Sequence, residues 1–193
     1  MSDNKVLVIH GYGQQAEEVK KKYGRTFKKI GFTNIDYIEA PLLVTNRKGE
    51  PGRGWFLWHD DNDDICACTK YVRVEESLQY LHDYIITHGP YKTIIGYSQG
   101  GTILSIALDR FPIEVRKVII ISSYDPVDPE WLTNHESKYD TLLVAGQRDE
   151  TVPMKYTLSM YNNATVLIHN GTHSLPNTSN FITGVMQFLN TPK

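Results

Sequence analysis

The chain has 193 residues, 20 Lys plus Arg against 22 Asp plus Glu, and a 40% hydrophobic share, enough for one domain with a substantial core. A formal charge of -2 leaves no polyanion footprint and disfavours a nucleic-acid reader. No apolar run approaches the roughly 18 residues that a membrane span takes.

The opening Met1-Ser2-Asp3-Asn4-Lys5 carries neither the apolar stretch nor the small-residue cleavage site of a secretory signal, so a cytoplasmic location is expected. Residues 6–9 form the first of four short β-branched runs, with 93–95, 118–121 and 142–144. Each ends at a Gly or a small polar residue, as strands buried on both faces do. Weaker strand patterns cover 34–38 and 165–168. Between them, Val19, Tyr23, Phe27 and Ile30 share one helical face opposite a row of lysines. Val74, Leu78, Leu81 and Ile85 repeat at helical spacing, and residues 99–111 are apolar almost all round. Phe181, Val185 and Phe188 mark a last helix. Strands alternating with helices predict an α/β fold, a mostly parallel central sheet with helices on both faces, in a single domain spanning 1–193. The stretch 41–70 reads as one long irregular loop, a lid candidate.

The segment Gly96-Tyr97-Ser98-Gln99-Gly100 holds Gly-x-Ser-x-Gly between an apolar strand and an apolar helix, the context of a nucleophile elbow. Ser98 is the candidate nucleophile, and a serine hydroxyl needs a base and an acid that orients the base. In this fold both follow later, in the order Ser, Asp, His. Asp149 lies just past the 142–144 strand and His173 just past the last strand, so they are the candidate acid and base. Asp125, after the 118–121 strand, is the rival acid. His169 reads as structural, and His10 as a residue that fixes the turn after the first strand. The oxyanion donors are expected to be the backbone N–H groups of Gln99 and Tyr12.

Other features read as structure. Gly11-x-Gly13 lacks the third glycine of a dinucleotide site, since position 16 is Ala16. Asp60, Asn62 and Asp64 mimic a calcium loop without its Gly and Glu. Cys66 and Cys68 lack a second pair at zinc-site spacing and are too close for a ready disulfide. Trp55, Phe56 and Trp58 suit either the core or a pocket wall.

These residues together resemble the FSH-type family of serine hydrolases with the α/β-hydrolase fold. The landmarks are Leu7-Val8-Ile9-His10-Gly11-Tyr12, Glu39-Ala40-Pro41, Gly52-Arg53-Gly54-Trp55-Phe56, the elbow, Gly146-Gln147-Arg148-Asp149 and Gly171-Thr172-His173. The resemblance spans nearly the whole chain and implies Ser98, Asp149 and His173 as triad. It departs at Thr172, where the family often has Gly, and at Glu39, usually Asp. Hydrolysis of a small-molecule carboxylic ester or thioester is expected, with no metal or organic cofactor, no nucleic-acid partner and no membrane. About twenty residues separate the strands at 118–121 and 142–144, too few for a large cap. The competing expectation is a non-catalytic ligand-binding module on the same fold. Oligomeric state is left open.

Overall fold

The computed structural model describes residues 4–46, 48–59, 66 and 68–192. The calcium-like stretch Asp60, Asn62 and Asp64 falls outside the described residues.

The chain runs β1 (Lys5–Ile9), α1 (Ala16–Ile30), β2 (Asn34–Ile38), β3 (Leu42–Thr45), β4 (Pro51–Gly54), β5 (Leu57–Trp58), β6 (Tyr71–Val72), α2 (Val74–His88), β7 (Thr93–Tyr97), α3 (Gln99–Arg110), β8 (Lys117–Ile121), β9 (Asp140–Gly146), α4 (Met154–Leu158), β10 (Thr165–His169) and α5 (Ser179–Asn190). Six strands form one sheet in the order β10-β9-β8-β7-β1-β2, and all its pairings are parallel.

Alternation along the strands divides the core in two. Leu7, Ile9, Ile94, Val118, Ile120 and Leu143 pack beneath α2 and α3 with Leu78, Leu81, Ile103 and Leu104. Val6, Val8, Ile95, Ile119, Ile121 and Val144 pack on the opposite face with Val19, Tyr23 and Phe27 of α1 and Phe181, Val185 and Phe188 of α5. The runs at 6–9, 93–95, 118–121 and 142–144 are uniformly apolar because both of their faces are covered. No helix lies between β8 and β9, so no helical cap stands over the sheet there. Among the described residues no helix is long and apolar enough to cross a membrane.

The 41–70 stretch differs from the irregular loop expected. Its first part is an antiparallel hairpin, β3 with β4, turned by Asn46, whose side-chain oxygen accepts the N–H groups of Lys48 and Glu50 at 2.9 and 3.0 Å. A second pair, β5 with β6, follows. Trp55 and Phe56 between them are fully buried. Polar Arg53 and the Pro and Gly of β4 hide this hairpin from a hydrophobic-pattern reading. The short α4 after Pro153 was likewise not anticipated, being too brief to show a helical period.

The connections leave the sheet in opposite directions from its centre. After β1 the chain adds β2 on one side; from β7 onward it adds β8, β9 and β10 on the other. The topological switch point therefore lies between β1 and β7, the place at the carboxyl ends of the strands where open α/β sheets bind their ligands.

Candidate active site

Ser98 stands on the turn from β7 into α3, at the switch point. Its backbone has φ 53 and ψ -127, a left-handed conformation that costs a non-glycine residue energy and lifts the side chain above the sheet edge. The flanking glycines make that turn possible. A Cβ on Gly96 would lie 2.5 Å from Gly101 Cα, and one on Gly100 2.3 Å from the His10 carbonyl oxygen. Backbone contacts that close admit no side chain.

Three side chains from distant parts of the sequence meet here. Ser98 Oγ lies 3.1 Å from His173 Nε2, and His173 Nδ1 lies 2.8 Å from Asp149 Oδ2. The other Asp149 oxygen accepts the N–H groups of Thr151 and Val152 at 3.0 and 2.9 Å. Burial pushes the Asp149 carboxyl up, but the His173 and Val152 hydrogen bonds and the His173 charge outweigh it and hold the group below its ordinary value. Asp149 is thus a carboxylate facing an imidazole, its side chain fully buried while that of His173 remains 20% exposed.

The loops after β9 and β10 bring Asp149 and His173 together as an extension of the parallel ladder. Gln147 N–H donates to the His169 carbonyl and Arg148 N–H to that of Gly171, both at 2.9 Å. The His169 ring lies under this junction, where a Cβ on Gly171 would sit 2.6 Å from its Nδ1. Burial lowers the pKa of His169, in keeping with a packing role. The rival acid Asp125 is engaged elsewhere: it accepts the Thr133 hydroxyl at 2.6 Å and faces His135 at 3.5 Å. Desolvation raises its pKa.

The loop after β1 forms the opposite wall. His10 is buried, with Nδ1 2.7 Å from the Gly11 carbonyl and Nε2 3.0 Å from the Ala40 N–H. A carbonyl can only accept and an amide can only donate, so Nδ1 carries the proton and Nε2 is bare. The ring is therefore neutral, and burial lowers its pKa accordingly. With the Gly11 carbonyl turned to His10, the trans peptide sends the Tyr12 N–H the other way. Among the described residues neither that N–H nor the Gln99 N–H has an acceptor.

The Gln99 side chain has a task that no sequence pattern announced. Its Oε1 accepts the Trp55 N–H and its Nε2 donates to the Phe56 carbonyl, both at 2.8 Å, while Trp55 Nε1 donates to the His10 carbonyl at 2.8 Å. Trp55 and Phe56 are thus core residues that bind the stretch after β4 to the Ser98 turn. Trp58, partly buried, packs on the Tyr12 ring with centroids 4.7 Å apart.

The sequence matches the family described as Serine hydrolase (FSH1) over residues 1–185. The chain belongs to this family. As a serine hydrolase it is 26% identical to a Schizosaccharomyces pombe protein named dihydrofolate reductase, over 96% of this chain but only 46% of that protein's length. It is 28% identical to the Drosophila melanogaster esterase CG5412, across 91% of this chain and 69% of that one. Among solved structures, a carboxylesterase from Mesorhizobium loti superposes with a TM-score of 0.70 at 18% identity, covering 100% of this chain and 90% of that one. That likeness is one of fold, the α/β-hydrolase fold that the family resemblance implied.

Proposed function

We propose that this serine hydrolase cleaves small-molecule carboxylic esters or thioesters through an acyl-enzyme, with Ser98, His173 and Asp149 as its triad and residues 1–193 acting as one domain. The observation that carries the reading is the continuous line from Ser98 Oγ through both nitrogens of His173 to Asp149, at 3.1 and 2.8 Å.

In the first half-reaction Ser98 Oγ bonds to the acyl carbon while His173 Nε2 takes its proton. Asp149, already ionised, holds the tautomer with Nδ1 protonated and stabilises the imidazolium. The carbonyl oxygen becomes an oxyanion, and the N–H groups of Tyr12 and Gln99 are free to receive it. The N-terminus of α3 adds its positive end. Collapse breaks the bond to the alcohol or thiol, which leaves with the proton from His173. Water then attacks the acyl-enzyme by the same route, and the carboxylic acid departs. No step calls on a metal or an organic cofactor.

Intact-mass analysis after treatment with a fluorophosphonate tests the reading. One adduct is expected on the wild type and none on Ser98→Ala, whose ester turnover falls by about 10⁴-fold or more. An Ala variant that keeps most of its turnover would remove Ser98 as nucleophile. A correctly folded wild type that takes no adduct and returns a bound ester uncleaved would make the protein a binding module. Matched oxygen esters and acyl thioesters, assayed side by side, decide which leaving group it prefers.

A further inference from the structure

Strand β7 ends at Tyr97, directly before Ser98, and alternation sends its side chain to the face of the sheet covered by α1 and α5. There the Tyr97 hydroxyl donates to the backbone carbonyl of His173 at 2.8 Å. The phenol ring lies against the imidazole, with centroids 5.1 Å apart and planes tilted by 39°. Among the described residues no other group donates to that carbonyl.

The bond matters because of the segment that carries the base. Between β10 and α5 the chain forms neither helix nor strand. Its backbone is held near its start by Arg148, whose guanidinium donates to the Asn170 carbonyl and whose N–H donates to that of Gly171, and by a short internal bond from Ser174 N–H to the Thr172 carbonyl. Nothing in the ladder reaches as far as residue 173. Tyr97 itself is well fixed: 7% exposed, it packs on Tyr23 with centroids 6.1 Å apart. It also touches the oxyanion side, where a Cβ on Gly11 would lie 3.3 Å from Tyr97 Cδ1. Burial raises the pKa of the phenol further, so the hydroxyl stays a donor across the working range.

We propose that Tyr97 is a positioning residue, its hydroxyl holding the His173 backbone so that Nε2 faces Ser98 while Nδ1 stays on Asp149. The inference rests on Ser98 and His173 acting as nucleophile and base. Misplacing a reacting group by about 1 Å can cost on the order of 100-fold in rate, so a lost anchor is expected to show in kinetics before it shows in folding.

A double-mutant cycle on the rate of fluorophosphonate labelling tests it. Tyr97→Phe keeps the ring and deletes the donor. With His173 present it is expected to slow labelling of Ser98 by about 10- to 100-fold and to lower ester kcat to match, with KM within about twofold. In the His173→Ala background the same change is expected to slow the residual labelling by less than about twofold, since the hydroxyl then has no base to position. Equal slowing in both backgrounds would mean general damage to the turn and would overturn the proposal, as would an unslowed Tyr97→Phe. A His173→Ala protein that labels as fast as wild type would sink the triad reading itself, a result distinguishable from either.

Discussion

Ser98 lies between two walls that are built in opposite ways. On the side of the proposed oxyanion donors, His10, Gly11, Gln99, Trp55 and Phe56 are joined by hydrogen bonds among buried groups, and the loop behind Tyr12 is bonded to β4 through Gly13, Gln14 and Arg53. On the side of the proposed base, His173 rides on an irregular segment with its side chain 20% exposed, held by Asp149 and Tyr97. The contrast follows from the work each wall would do. Donors to an oxyanion stabilise developing charge best when they do not reorganise. A base that first takes a proton from serine and then delivers it to the leaving group must adjust between two partners. A rigid wall and an adjustable one, meeting at the switch point of the sheet, suit acyl transfer.

The largest effects are expected on the adjustable wall. His173→Ala should lower kcat by up to about 10⁶-fold while leaving stability within about 1 kcal/mol, because a partly exposed ring is removed from a loosely bonded segment. A loss of less than tenfold in ester turnover would mean that the base lies elsewhere. Asp149→Asn comes next, at about 10⁴-fold, since an amide can present a donor to Nδ1 and stabilise the wrong tautomer. Asp125→Asn, the control, is expected to stay within about threefold, because that carboxylate serves Thr133 and His135. If steady-state assays reverse these two results, the acid is Asp125.

The two walls were unequally legible in the sequence. Ser98, Asp149 and His173 could be singled out because each follows a strand of the sheet, the first two a buried one and His173 the more exposed edge strand β10, and strand ends in a parallel sheet share one edge. The clamp on the rigid wall could not. Gln99 reaches Trp55 and Phe56, 44 and 43 residues earlier in sequence, and a side-chain amide bonding backbone groups leaves no periodic trace. The β3–β4 hairpin escaped for a related reason: β4 is Pro-Gly-Arg-Gly, with no apolar alternation. A Cβ at Gly52 would meet the Gly13 carbonyl oxygen at 2.3 Å, so this strand is composed for close backbone approach to the loop after β1 rather than for strand propensity. Tyr97 was visible only as a spacer within the elbow motif.

The rigid wall is expected to answer in stability rather than in a lost catalytic group. Gln99→Ala keeps its backbone N–H but strands the buried Trp55 N–H and Phe56 carbonyl without partners. At roughly 1–3 kcal/mol for each orphaned group, the total is about 2–6 kcal/mol. Urea unfolding would register this as a lower midpoint with an unchanged slope. A midpoint equal to the wild type would show that water or a shifted side chain replaces the amide, and the wall would not be rigid in the sense argued.

The smallest effect concerns the proton on His10. Folded, the ring is neutral and its pKa is lowered, by burial first of all; unfolded, it returns to an ordinary histidine value of about 6.5. Above that value both states are neutral and the wall has its full stability. As pH falls below it, the unfolded chain binds a proton that the folded ring refuses, so stability drops until the lower folded value is reached. The slope from this one residue is at most about 1.4 kcal/mol per pH unit. His169 shifts in the same direction, whereas Asp149, lowered from a carboxylate value, loses its contribution only in more acidic solution. Urea midpoints compared between about pH 7.5 and 5.5 therefore isolate the histidines, and His10→Gln should flatten the dependence without abolishing it. Among the described residues the carboxylate paired with the ring is Glu39, with Oε1 3.6 Å from Nε2, and Glu18 adds a weaker charge. If His10→Gln leaves the slope unchanged, that pair is accepting a charged ring, the Ala40 N–H has lost its acceptor, and the tautomer that aims the Tyr12 N–H is not locked.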